Sequence, residues 1–116
     1  MDESIAVQSL AALAQASRLA VFRHLVALGH EGAFAGEIAG HLDITANTLS
    51  FHLKTLAQAG LVSAEPAGRH VRYRANLDRM QALVGFLGDH CCGGQPELCA
   101  PVSSSACPSQ PRRARR

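Results

Sequence analysis

The feature that most constrains the fold is a helical segment between Thr45 and Gly60 whose two sides differ sharply. Leu49, Leu53 and Leu56 recur at the i, i+4, i+7 spacing that places apolar side chains on one side of a helix. Thr45 is a favoured N-cap residue and Gly60 is a favoured residue after a helix, so both ends are marked. The opposite side carries Asn47, Phe51, Lys54 and Gln58, flanked by Thr48, Ser50 and Thr55. Such a helix packs through its leucines and presents hydrogen-bonding groups outward.

Six further elements are predicted around this helix. They are a helix at 4–14, a helix from the cap Ser17 to Gly29, a helix at 34–42, strands at 61–65 and 70–75, and a last helix at 77–90. Asp43-Ile44 forms the turn before the fourth helix, and Pro66-Ala67-Gly68-Arg69 joins the strands. The fold class is therefore mostly α with a β-hairpin, in the order α-α-α-α-β-β-α of a winged helix-turn-helix.

Two helices joined by a tight turn and followed by a basic hairpin indicate double-stranded DNA as the partner. The major groove admits a helix, whose short polar side chains read base edges, while a wing places arginines against phosphates. The predicted DNA-binding residues are Thr45, Asn47, Thr48, Ser50, Phe51, His52 and Lys54 on the helix, and Arg69, Arg72 and Arg74 on the wing. His52 lies about 60° from the leucine side, so a structural role at the edge of the core is equally open.

Charge and composition limit the other function classes. Residues 1–90 carry seven Arg/Lys and eight Asp/Glu, whereas residues 91–116 carry four Arg and one Glu, so the basic excess lies at the end. With no Trp and one Tyr, the chain offers little surface for stacking single-stranded bases. No apolar run approaches the roughly 18–20 residues that cross a bilayer, and the acidic start lacks a signal peptide's basic residues. We expect no membrane partner and a cytoplasmic location.

The chain changes character after residue 90. Cysteine occurs only at positions 91, 92, 99 and 107, and four of the five prolines also follow residue 90. This composition is typical of a segment that does not pack a core. We therefore predict a folded domain at 1–90 and a flexible, cysteine-bearing tail at 91–116.

Three motifs resemble those of the ArsR/SmtB family of metal-responsive bacterial repressors. Ala16-Ser-Arg-Leu19 resembles the family's opening helix, Ser50–Val62 resembles its recognition-helix signature, and Gly68-Arg69 with Tyr73-Arg74 resembles its wing. The resemblance covers residues 5–90. It implies a homodimeric DNA-binding repressor that leaves its operator when an inducer binds. The expected dimerisation residues are Ile5, Leu10, Met80, Leu83, Val84 and Leu87, although Met80–Leu87 equally suits a core surface.

The tail cysteines are similar to those of arsenic-responsive members of that family. Two other sensor sites of the family are absent, since Phe34–Ile38 has no cysteine and the last helix lacks the required Asp and His pattern. The resemblance implies that trivalent arsenic, or antimony, binds Cys91, Cys92 and Cys99. Cys107 has no obvious counterpart in those members and stays open as a further ligand. Soft thiolates suit such soft acceptors, and Gly93-Gly94 allows the chain to turn back. No organic cofactor is expected.

Two rival interpretations remain open. The same repressor could sense cadmium, zinc, reactive sulfur or oxidants through these thiols. A small thiol redox enzyme is the rival from another class, but the chain has no C-x-x-C, no phosphate loop and no βαβ pattern. We therefore expect that the protein is not an enzyme.

Overall fold

The computed structural model describes residues 1–94 of the chain. The helices are α1 (Glu3–Leu13), α2 (Ala16–Leu28), α3 (Ala35–Leu42), α4 (Ala46–Gln58) and α5 (Leu77–Gly88). The strands are β1 (Ala33–Phe34), β2 (Val62–Ala67) and β3 (His70–Ala75), and short 3-10 turns occur at Gly29–Glu31 and Cys91–Gly94. The winged helix-turn-helix prediction is confirmed, with one strand more than the sequence indicated.

Side-chain caps set the starts of three helices. The Thr45 hydroxyl accepts a hydrogen bond from the Thr48 amide at 3.3 Å, as the cap prediction requires. α5 is capped by Asn76, whose side chain accepts from the Arg79 amide at 3.1 Å. The prediction that Ser17 caps the second helix is wrong. The side chain of Gln15 accepts from the Arg18 amide at 2.9 Å, because the helix starts at Ala16, two residues before the start that a Ser17 cap implies.

The sheet has three antiparallel strands in the order β1-β3-β2. β2 and β3 form the wing, with Val62 opposite Ala75 and Ala67 opposite His70. On the other edge of β3, the two-residue β1 pairs Ala33 with Tyr73. A strand of two residues has no alternation to detect, which is why the sequence did not reveal it. β1 joins the wing to the start of α3.

The core lies between α2, α3, α4 and the start of β2. The three leucines of α4 are all buried, as predicted, and they pack with Leu25, Ile38 and Leu61. Burying one such side chain is worth about 1.5–3 kcal/mol. Leu19 of α2 is 43% exposed. The reason is that the buried side of α2 runs through Val21, Phe22 and Leu25.

The first two helices meet at a sharp bend. The Arg18 guanidinium Nε donates to the Ala12 carbonyl at 2.6 Å and so ties the start of α2 to the end of α1. Within residues 1–94, no single helix is long and apolar enough to span a membrane. By length and composition alone, Glu3–Leu13 and Ala16–Glu31 pass that test as a pair bent by 104°.

Candidate nucleic-acid interface

The outward side of α4 is an open polar surface. Asn47, Thr48, Ser50 and Lys54 are all exposed there. The Thr45 hydroxyl donates to the Thr48 hydroxyl at 2.9 Å, so these two side chains form a joint donor and acceptor group at the helix start. Lys54 supplies the one positive charge of this helix. The surface carries hydrogen-bond donors and acceptors that suit base edges, and donors that suit phosphate oxygens.

Phe51 is the apolar exception on this surface. Its side chain is 64% exposed, the largest exposed fraction among the large hydrophobic residues in the described part of the chain. On the exposed side of α4, the residues around Phe51 are polar. An exposed aromatic ring on a helix of groove-reading geometry is suited to contact thymine methyl groups.

His52 lies on the other side of the helix. It is only 6% exposed, and its ring meets that of Phe51 edge-on with centroids 5.9 Å apart. Within residues 1–94, its Nδ1 is the one buried side-chain nitrogen or oxygen without a hydrogen-bond partner. The burial of His52 differs from the base contact that was predicted. It fits the other interpretation, a structural role at the edge of the core beside the leucines of α4.

The wing arginines of β3 contact the protein itself. Arg72 Nη1 donates to the Glu31 carbonyl at 2.6 Å, and its guanidinium lies 4.4 Å from the centre of the Phe34 ring. Arg74 Nε donates to the His30 carbonyl at 2.6 Å. Its Nη1 also pairs with Glu65 across the hairpin at 2.5 Å. This hydrogen bond, and then the charge of Arg74, lower the pKa of the Glu65 carboxyl.

The turn of the wing is exposed. Gly68 adopts a left-handed φ of 67°, which lets the chain reverse within two residues. Arg69 and His70 follow, and both are exposed. Of the three predicted wing arginines, Arg69 is therefore the one at the tip.

The predicted dimerisation residues differ in how far they are exposed. Leu10 on α1 and Leu87 on α5 are exposed, the latter at 59%. Ile5 and Val84 are half-buried, whereas Leu83 is 6% exposed and Met80 packs against the core. The sequence missed Val7, which is exposed on α1 beside these residues. Its spacing from Leu10, three residues along the helix, was the available signal.

The cysteine pair is separated from the last helix by two residues. α5 ends at Gly88, and Cys91 and Cys92 begin the 3-10 turn Cys91–Gly94. Cys91 is exposed. Cys99, Cys107 and the rest of the predicted tail lie outside the described residues. In the described part of the chain, no group of three or more His, Cys, Asp or Glu side chains is arranged to hold a metal ion.

Three hydrogen bonds join α5 to the end of α4. Arg79 Nη1 donates to the Ala59 carbonyl at 2.8 Å, and Asn76 Nδ2 donates to the Gly60 carbonyl at 3.0 Å. The Asn76 amide donates to the Leu61 carbonyl at 2.8 Å. We call these contacts the α4–α5 clasp. Sequence reasoning missed it because its acceptors are main-chain carbonyls, which any residue supplies.

A cavity of about 360 Å³ lies between α2, α3 and the wing. The His24 and His41 rings stack there with centroids 4.4 Å apart. Burial, and then the neighbouring His41, lower the pKa of His24. The charged side chains around the cavity are Glu31, Glu37 and Arg72. The stack packs α2 against α3.

Comparison with known proteins agrees with this geometry. Residues 13–63 match the family model of a helix-turn-helix domain. The chain is 37% identical over 87 residues to the uncharacterized HTH-type transcriptional regulator YceK of Bacillus subtilis (strain 168), covering 74% of this chain and 86% of that protein. It is 40% identical over 87 residues to the HTH-type transcriptional regulator CmtR of Mycobacterium tuberculosis (strain ATCC 25618 / H37Rv), covering 75% and 71%.

Solved structures share the fold. An ArsR-like transcriptional regulator from Rhodococcus sp. RHA1 superposes with a TM-score of 0.66 at 25% identity, over 82% of this chain and 87% of that one. The homodimeric winged helix-turn-helix DNA-binding domain of a possible ArsR-family regulator from Mycobacterium bovis gives 0.60 at 27%, over 79% and 85%. The chain belongs to the ArsR family of winged helix-turn-helix transcriptional regulators.

Proposed function

We propose that this regulator is a homodimeric repressor that leaves its operator DNA when As(III), or Sb(III), bonds Cys91, Cys92 and Cys99. The observation that carries the proposal is the position of the cysteine pair. It is separated from the end of α5 by two residues, and α5 is the helix hydrogen-bonded to the end of the DNA-reading helix.

The DNA-binding part rests on α4. Its exposed polar side would enter the major groove, with Phe51 against a thymine methyl and the wing beside the backbone. Two such helices in a dimer would meet successive major grooves about 34–36 Å apart. An inverted-repeat operator follows from that symmetry.

The dimer part rests on the apolar surface of α1 and α5. Val7, Leu10 and Leu87 are exposed on these two helices. A second copy would cover them, and the two-fold axis would then run beside α5. The solution structure of the related M. bovis domain is a homodimer, which supports this arrangement.

The inducer part rests on thiol chemistry. Arsenous acid reacts with three thiols to form three As–S bonds and three water molecules, so no oxidant or reductant is needed. Cys91 is exposed at the turn after α5 and can be reached from solvent. Soft sulfur ligands favour arsenic over hard cations.

The coupling would run along α5. A ligand that restrains the chain after Gly88 alters how α5 sits, and the α4–α5 clasp at the other end of that helix would pass the change to α4. A coupling free energy of 1–3 kcal/mol weakens operator binding about 5–150-fold. That range is sufficient to relieve repression.

The first test is fluorescence anisotropy of the reduced protein on its own promoter DNA, titrated with arsenite, antimonite, cadmium and zinc. Release by arsenite or antimonite alone supports the proposal. Release only by cadmium or zinc, and lost in Cys107→Ser, would instead assign a four-sulfur metal site. Release only by peroxide or persulfide would assign a redox sensor. A protein that binds no DNA contradicts the repressor itself.

Substitutions separate the cysteines from the fold. Cys91→Ser and Cys92→Ser should keep DNA affinity and lose the response to arsenite. Cys107→Ser is the matched control and should keep both under the three-sulfur scheme. Loss of DNA binding in Cys91→Ser would count against a role confined to sensing.

The coupling route has its own variant. Arg79→Gln removes the bond to the Ala59 carbonyl and should reduce the arsenite effect on the DNA dissociation constant several-fold. Arg23→Gln removes the same charge from an exposed position on α2 and should leave the effect unchanged. Equal responses in both variants would show that the α4–α5 clasp is not the route.

A further inference from the structure

We infer that the three wing arginines divide two tasks, with Arg72 and Arg74 anchoring the hairpin and Arg69 alone contacting the DNA backbone. The inference rests on the proposed DNA binding and refines it. It names which wing arginine meets a phosphate and which ones hold the hairpin against the rest of the domain.

Arg72 is held from two directions. Its Nη1 donates to the Glu31 carbonyl at 2.6 Å, and its guanidinium plane covers Phe34 at 4.4 Å. The His70 ring packs against Phe34 as well, with centroids 5.5 Å apart. The Phe34 amide donates to Glu37 at 2.9 Å, at the start of α3. Arg72 therefore connects the wing to the first helix of the helix-turn-helix.

Arg74 is held in a similar way. Its Nε donates to the His30 carbonyl at 2.6 Å, and Glu65 balances its charge within the hairpin. For either arginine to reach a phosphate, it would have to leave short hydrogen bonds to the α2–β1 connection. Such bonds from a charged donor are about twice as strong as neutral ones.

The backbone of this connection fits tightly under β3. A Cβ built on Gly32 would lie 2.3 Å from the Tyr73 carbonyl oxygen and 2.8 Å from Arg74 Cγ. Gly32 also has a φ of +61°. The close approach brings the His30 and Glu31 carbonyls within reach of both guanidinium groups. The wing is therefore held by the two arginines of β3 and by the carbonyl groups of the α2–β1 connection.

Arg69 has none of these contacts. It is exposed at the hairpin tip, directly after Gly68. Within residues 1–94, its guanidinium makes no hydrogen bond or ion pair. Its five donors remain available to a phosphate.

The salt dependence of DNA binding separates the two tasks. Each phosphate contact contributes about 0.9 to the slope of log K against log salt concentration. We expect Arg69→Gln to lower the slope by about 1.8 for a dimer, with unchanged thermal stability. Arg72→Gln and Arg74→Gln should leave the slope within error and lower the melting temperature by about 4 °C or more.

A conservative variant gives a second readout. Arg72→Lys keeps the charge but loses the planar group that covers Phe34 and bonds the carbonyl. It should therefore have a lower melting temperature, as Arg72→Gln does, and keep the wild-type salt slope of DNA binding. Arg69→Lys should restore the slope that Arg69→Gln loses.

The outcomes are distinguishable. A slope decrease in Arg72→Gln or Arg74→Gln equal to that of Arg69→Gln overturns the division. An unchanged slope in Arg69→Gln overturns the role of the tip. If the wild-type chain binds no DNA at any salt concentration, the proposed function fails and the tip role fails with it. The melting temperatures would still decide whether the other two arginines are anchors.

Discussion

The DNA-reading helix and the wing hold their polar side chains in different ways. On α4, the residues predicted to meet DNA are open to solvent, apart from His52, and the leucines beneath them carry the stability. On β3, Arg72 and Arg74 are half-buried and bonded to carbonyls of the preceding connection. A residue's charge and its side of an element therefore do not by themselves show that it is available to a partner.

The largest expected effect tests the two sides of α4 against each other. Leu53→Ala removes a buried side chain and should lower the free energy of unfolding by about 2–5 kcal/mol. Phe51→Ala, on the exposed side, should change stability by less than about 0.5 kcal/mol and weaken DNA binding. Urea unfolding and anisotropy measure the two quantities. A large stability loss in Phe51→Ala would contradict the expected difference between the buried and the exposed side of α4.

The next effect concerns the anchor of the wing. Gly32→Ala forces a Cβ against the Tyr73 carbonyl at a positive φ, and should destabilise by more than about 1 kcal/mol. Gly36→Ala is the matched control on α3, where a Cβ meets nothing within 4 Å. It should be neutral or stabilising by up to about 1 kcal/mol. Thermal unfolding of both variants decides the point, and equal melting temperatures would contradict the tight fit.

A smaller effect is expected at the start of α4. Thr45→Ala removes the cap that bonds the Thr48 amide and should cost about 0.5–2 kcal/mol of stability. Thr45→Ser keeps a hydroxyl and should recover most of that loss. If Thr45→Ser lowers operator affinity as much as Thr45→Ala while stability recovers, the methyl group contacts DNA directly.

The smallest effect is a pH dependence beside the wing anchor. The pKa of His24 is lowered from its ordinary value of 6.5, so the unfolded chain binds the proton more readily. This contribution to stability is complete above pH 6.5 and declines as pH falls below that value. Urea midpoints against pH should show a shallower acid decline in His24→Gln. His30→Gln, at an exposed position, is the control, and an unchanged profile in His24→Gln would contradict the assignment.

The sequence predicted most of the fold because helical periodicity and caps report on local structure. The leucines of α4 and its cap Thr45 were placed correctly, and the hairpin was found within two residues of its observed limits. The sequence did not reveal β1, because a strand of two residues is too short to show alternating polar and apolar side chains. It also missed Gln15, which caps α2 two residues before the expected cap Ser17.

The exposure of a candidate site residue was predictable only where a single helix or strand determines it. The exposure of Asn47, Ser50 and Lys54 follows from the turn of a single helix. The restraint of Arg72 depends on a carbonyl 41 residues earlier in the chain, which no local pattern encodes. The sensor residues remain a prediction, because Cys99 and Cys107 lie beyond the described residues.

That 41-residue separation also orders the events of synthesis. On a ribosome, all residues of α1 to α4 are translated before β3. The carbonyls of the α2–β1 connection and the ring of Phe34 must wait for Arg72 and Arg74 to emerge. A nascent chain arrested before β3 would therefore display its helix-turn-helix without the wing, with the start of α3 uncovered to chaperones and proteases.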